Sequence, residues 1–236
     1  MEPPEPRSEL MSSLKELLIS SDFSDLTIPR GSYKHKVHKA IICPRSEFFN
    51  ATCRFGKEAE TGVITLPDDD QEIVELMIDY FYTLDYPPFP AQVTAPPPVM
   101  VGLLHPQWGG QAIPTGKEPV ESPQEPDGTF HLITLAKMYA IADKCDIKGL
   151  QSLSRDKFKP AAANNWNHGD LPSAIYTMYI STPDSNTGLR DIVVNLISDH
   201  MSLLRKPEVE ALMREFNGMA FDLLKLKHLN SGGVWS

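Results

Sequence analysis

Cysteine is scarce in this chain. Cys43, Cys53 and Cys145 are the three in 236 residues, too few and too spread for a disulfide framework. Cys43 and Cys53 stand among apolar neighbours, which predicts buried thiols. No apolar run approaches the ~18–20 residues of a membrane span. The start, Met1-Glu2-Pro3-Pro4-Glu5-Pro6, lacks the charged-then-apolar order of a signal peptide, so the expectation is an intracellular protein of the cytoplasm or nucleus. Basic charge is also short: 22 Lys and Arg against 31 Asp and Glu leave a net charge of -9. That argues against nucleic acid as a direct partner, because phosphate binding takes clustered cations. The most basic stretch, Lys34-His35-Lys36-Val37-His38-Lys39, alternates with strand period and reads as the solvent face of a strand leading into a helix.

Signatures of catalysis are missing as well. The sequence holds no Gly-x-Ser-x-Gly, no P-loop and no dinucleotide fingerprint. His35, His38 and Cys43 lie close together without the paired spacing of a zinc site. Asp68-Asp69-Asp70 lacks the spaced oxygens and the glycine of a calcium loop, and a helix N-terminus accounts for it. The reading is no enzyme, no metal, no cofactor, no small-molecule substrate and no membrane partner.

What is present is ample apolar content, 41%, in a length that suits one medium domain or two small ones. After a short tail, residues 1–7, expected to be disordered, the spacing of Leu10, Leu14, Leu17 and Leu18 predicts a helix over Ser8–Ser20, with Ser8 a candidate N-cap. Leu26-Thr27-Ile28 and Tyr33 to Val37 read as strands around a turn at Pro29-Arg30-Gly31-Ser32. A short helix from Lys39 ends at Pro44. Ser46 can cap the next, which carries Phe48, Phe49 and Phe55 into a core. Gly62 to Leu66 reads as a third strand. Val74, Met77, Ile78 and Phe81 fall at i, i+3, i+4, i+7 of a helix begun by the Asp68 to Asp70 run, with Ile73, Tyr80 and Leu84 widening its stripe.

That ordered series, Ser24-Asp25-Leu26-Thr27-Ile28, then Val37-His38-Lys39-Ala40-Ile41-Ile42, Arg45-Ser46-Glu47-Phe48-Phe49, Val63-Ile64-Thr65-Leu66-Pro67-Asp68 and the helix Ile73 to Thr83, resembles the BTB/POZ domain. The resemblance extends to Leu135-Ala136-Lys137-Met138-Tyr139-Ala140-Ile141-Ala142-Asp143-Lys144-Cys145-Asp146-Ile147, which is similar to that domain's closing helical pair, Asp146 being read as a cap. It implies an α+β fold, a small three-stranded sheet flanked by short helices, and a non-catalytic protein-binding module. It also implies that the first helix, with Leu10, Leu14, Leu17 and Leu18, packs across a two-fold homodimer interface. Asp25 and Lys39 are then an acid–base pair in a charged pocket nearby. The alternative for the leucine stripe is packing on the chain's own C-terminal helices, through Ile192 and Leu196. A further activity of the family is recruiting a cullin scaffold as a ubiquitin-ligase substrate adaptor. The corresponding loop here is Phe55-Gly56-Lys57-Glu58-Ala59-Glu60, in which Phe55, Glu58 and Glu60 are the candidate cullin-facing residues, although Lys57 departs from the family's hydrophobic-x-Glu element.

The domain is expected to occupy residues 8–160, interrupted at about 87–126 by a proline-rich insertion that denies helix and ladder alike. Such a segment reads as disordered and polyproline-like, except for the apolar run Val99 to Trp108. Beyond Pro160 the helical stripes Ile175-Met178-Tyr179, Leu189 to about Leu204, and Val209 through Leu224 predict a three-helix extension over 170–229.

Overall fold

The structure, a computed structural model, describes residues 5–30, 33–55, 57–87 and 132–231. Residues 88–131, which hold nearly all of the proline-rich insertion expected at about 87–126, with Val99 to Trp108, lie outside the described residues, as does the tip of the first turn, Gly31-Ser32.

Helix α1 spans Pro6–Ser20. It starts two residues before Ser8, with Pro6 in the first turn, where a missing N–H removes no hydrogen bond. Pro6 and Arg7, expected in the tail, are therefore helical, and Ser8 is not the cap; residues 1–4 lie outside the described residues. Strand β1, Leu26–Arg30, pairs antiparallel with β2, Tyr33–Val37, from Leu26 opposite Val37 to Arg30 opposite Tyr33. Pro29 and Arg30 therefore belong to the strand and not to the turn. Thr27 turns its N–H away from β2, to the Gly62 carbonyl at 2.8 Å. Pro29, two residues on, shares that side, so its absent N–H leaves the β1–β2 ladder whole.

The sheet has two strands among the described residues, not three. The segment from Gly62 meets β1 at one isolated parallel bridge, Thr27 with Val63. Gly62 takes a positive φ of 64° at the end of a helix, and Pro67 follows soon after. Only Gly62 and Ile64 are left to bond Thr27.

Helix α2, Lys39–Ile42, runs into a 3-10 turn, Cys43–Arg45, and then α3, Glu47–Arg54. The Ser46 cap is present: its Oγ accepts from the Phe49 N–H at 3.2 Å and donates to the Cys145 carbonyl at 2.5 Å. Phe49 is fully buried and Phe48 packs partly against the core, but Phe55 points to solvent, because the chain leaves α3 extended there. The loop that follows is a helix of its own, α4, Lys57–Thr61.

Helix α5, Gln71–Thr83, begins at Asp70, whose Oδ1 accepts from the Glu72 N–H at 3.2 Å. All four residues of its predicted stripe are buried, with Ile73, Leu76, Tyr80 and Tyr82 besides. Leu84 is not. It closes the helix in the left-handed conformation and is half exposed.

Helix α6, Leu132–Lys144, packs on α5 on one side and on α7, Lys148–Asn164, and α8, Asp170–Ser181, on the other. Asp69 and Asp70 anchor it through Lys144 and Lys137, at 2.7 and 2.8 Å. Asp146 is not the cap of α7: it has a positive φ of 50°, and Ile147 stands at that position. Nor does Pro160 end α7, which runs on to Asn164 because Phe158 and Ala162 are both buried in the core. Helices α9, Gly188–Asp199, α10, Pro207–Glu215, and α11, Asn217–Asn230, complete the chain. The C-terminal region thus has four α-helices, not three, since Phe216 breaks the last stripe and leaves Leu224 exposed. One hydrophobic cluster joins Leu26 and Ile28 of β1 to Leu223 of α11. Among the described residues no helix is long and apolar enough to cross a membrane.

Candidate interaction surface

Helix α1 packs on α5, yet none of its residues is buried. Leu14 and Leu18 lean against the core and Leu17 is half-buried. Leu10 keeps 59% of its surface in water. Two further apolar residues, in the last turn of α1 and just beyond its end, are exposed and were not part of the predicted stripe. Ile19 lies on the opposite side of the helix and is 75% exposed, and Phe23 is 91% exposed. Phe23 also has φ 60°, a region unfavourable for a bulky residue. Its sequence signal was slight: one phenylalanine in the otherwise polar run Ser20 to Asp25. Ile192 and Leu196, the alternative cover for the leucine stripe, sit on α9, which packs with α7, α8 and α11.

Asp25 and Lys39 do come together, but through the main chain. Asp25 Oδ1 accepts the backbone N–H of Lys39 at 2.8 Å. Lys39 is the first residue of α2, and His38 before it makes no side-chain cap. Asp25, exposed itself, therefore supplies from β1's leading edge the cap that α2 lacks locally. The half-buried Lys39 lines an open pocket of about 470 Å³ with Cys43, Asn50, Cys53 and Arg54.

Beneath this surface His38 is buried and bonded far along the chain. Its backbone N–H donates to the Tyr82 hydroxyl at 2.9 Å, its Nδ1 lies 2.8 Å from the same oxygen, and its Nε2 lies 2.6 Å from the Asp22 carbonyl. One assignment satisfies all three contacts: Tyr82 accepts from the backbone and donates to Nδ1, while the hydrogen on Nε2 goes to Asp22. Burial pushes the Tyr82 hydroxyl up to about 12, so it keeps the proton it donates. The network fixes the Asp22–Phe23 bend against α5, which positions Phe23 next to α1. In sequence, His38 stood out only in the rejected zinc grouping with His35 and Cys43; a tyrosine on another helix gave no signal.

The two cysteines expected to be buried are each half-buried, and it is Cys145 that is enclosed. His35, His38 and Cys43 form no metal-ligating group among the described residues. On the far edge, Phe55 is 73% exposed, with Glu58 half-buried and Glu60 exposed on α4.

The family model described as the BTB/POZ domain matches residues 14–93. The match enters within α1, spans the two-stranded sheet and α2 to α5, and stops before α6. Residues 14–93 of this chain are thus a BTB/POZ domain, and that domain is a protein–protein interaction module.

Proposed function

We propose that the protein is a non-catalytic module that homodimerises through α1, with Leu10, Leu14, Leu17 and Leu18 joined by Phe23 at the seam and Asp25 and Lys39 at its edge. The observation that carries this reading is the exposure of Leu10 on a leucine helix with no buried residue, together with Phe23 just beyond its end. Contiguous exposed apolar surface marks an interaction site, and covering one such side chain contributes about 1.5–3 kcal/mol. The interaction unit extends past the family match, through α6 and α7, because α6 completes the wall on which α5 rests. Light scattering on size-exclusion fractions tests the dimer. Leu10→Asp with Phe23→Asp, both at exposed positions, should give a folded monomer where the wild type is a dimer. A wild type that stays monomeric at tens of micromolar refutes the proposal.

A second reading, a cullin-binding ligase adaptor, is favoured by one observation: Phe55 is held out in solvent beside the acidic α4. Capture of a cullin N-terminal domain by the wild type, lost in Phe55→Ala, supports it. No capture by the wild type rejects it.

A further inference from the structure

Cys43 opens the 3-10 turn after α2, and Cys53 lies in the last turn of α3. Both are half-buried and free, and both line the open pocket beside Lys39. Cys43 Sγ is 3.7 Å from the carbonyl oxygen of Phe49. Phe49 and Cys53 are four apart on α3, one turn of helix, so the Cys43 sulfur lies alongside the turn that carries Cys53. The two residues therefore face the same pocket from the 3-10 turn and from the last turn of α3. Cys145 provides the contrast, fully buried on the other side of Ser46, which binds its carbonyl.

We propose that Cys43 and Cys53 are a peroxide-responsive dithiol that closes to an intrachain disulfide across this pocket. The oxidant is a hydroperoxide, hydrogen peroxide being the simplest. The Cys53 sulfur attacks one peroxide oxygen, the O–O bond breaks, and the leaving hydroxide takes up a proton as water, which leaves a sulfenic acid at Cys53. The Cys43 sulfur then attacks the Cys53 sulfur, the S–O bond breaks, and a second water departs with the Cys43 proton. In sum two thiols and one peroxide give one disulfide and two waters, the thiols losing two electrons and the peroxide gaining them. The order follows from Cys43. Burial, then its hydrogen bond to Cys53, pushes its thiol up to about 12, so Cys43 holds its proton and serves as the resolving partner. Lys39 and Arg54 line the same open pocket, through which a small peroxide reaches the Cys53 sulfur. The disulfide would tie the 3-10 turn to the end of α3, next to the residue whose amide Asp25 holds.

The test uses the full chain, hydrogen peroxide, thiol blocking and tryptic mapping. Cleavage after Lys39, Arg45 and Arg54 places the two sulfurs on separate peptides, Ala40–Arg45 and Ser46–Arg54. The expected product is those two peptides joined, lighter by two hydrogen atoms, separable by dithiothreitol, and formed roughly tenfold faster than any modification of Cys145. Cys43→Ser should leave a sulfenic acid at Cys53 that dimedone traps, whereas Cys53→Ser should leave Cys43 unlabelled. Over-oxidation without the joined peptide, a crosslink between chains in its place, or labelling of Cys145 as fast as Cys53 would each overturn the proposal.

Discussion

Replacing Tyr82 by phenylalanine isolates the network under the interaction surface. The ring is fully buried, and phenylalanine keeps its shape and its edge contact with His38, centroids 5.8 Å apart. Only the oxygen goes. That removes the acceptor for the His38 N–H and the donor to His38 Nδ1. Both atoms stay buried, and an unsatisfied buried polar group costs about 1–3 kcal/mol. Counting two groups that partly relax gives a loss of about 2–4 kcal/mol, large against the 5–15 kcal/mol of an ordinary domain. At about 2–4 °C per kcal/mol for a chain of this size, Tm should fall by about 4–16 °C. Circular dichroism melts near neutral pH measure it, with urea midpoints as a second reading. Tyr33→Phe is the control, because its ring is largely exposed and such surface changes stay within about 0.5 kcal/mol. In a His38→Ala background Tyr82→Phe should cost roughly 1–2 kcal/mol less, since the Nδ1 partner is already gone and only the backbone N–H of residue 38 is left to lose its acceptor. A Tyr82→Phe protein that melts with the wild type would show that the hydroxyl is not a structural partner of His38.

Gly188→Ala at the start of α9 should destabilise by about 1–3 kcal/mol despite a helix-propensity gain of about 1 kcal/mol. The added Cβ would meet the Tyr139 hydroxyl at 2.2 Å and Cζ at 3.1 Å, displacing a phenol that donates to Asn186 at 2.6 Å; chemical denaturation reads the sign. Ser46→Ala unpairs the Phe49 N–H and the Cys145 carbonyl together and should cost about 1–3 kcal/mol in the same assay. Alkaline stability follows from Tyr82, Tyr86 and Tyr179, each pushed up to about 12, chiefly by burial. The unfolded chain releases those protons first, near pH ~10, so stability is fully present below that pH and falls as pH rises from ~10 through ~12. Urea midpoints that stay constant over that interval would contradict it.

The amphipathic period of α5, the caps at Ser46 and Asp70, the two strands around β1 and the BTB/POZ kind of module were all legible in the chain, because each rests on residues a few positions apart. Local spacing states which face of an element is apolar. It does not state what covers that face. Leu10 and Leu14 fill equivalent places in the α1 pattern, yet only Leu14 reaches the core. Phe49 and Phe55 read alike, and the backbone turns one inward and the other out. The third strand shrank to one bridge because its length was set by a helix end and a proline on either side. Phe23 stands exposed beyond α1, and Cys43 and Cys53 line one pocket, through packing of turns that carry no period. His38 with Tyr82, 44 residues apart, and Ser46 with Cys145, 99 apart, are partners that only the closed tertiary structure brings within bonding distance. Their buried polar atoms must be satisfied wherever the fold delivers a mate. The sequence by itself determined the elements and the class of module; the tertiary structure decided which apolar and thiol groups remain at the surface to act.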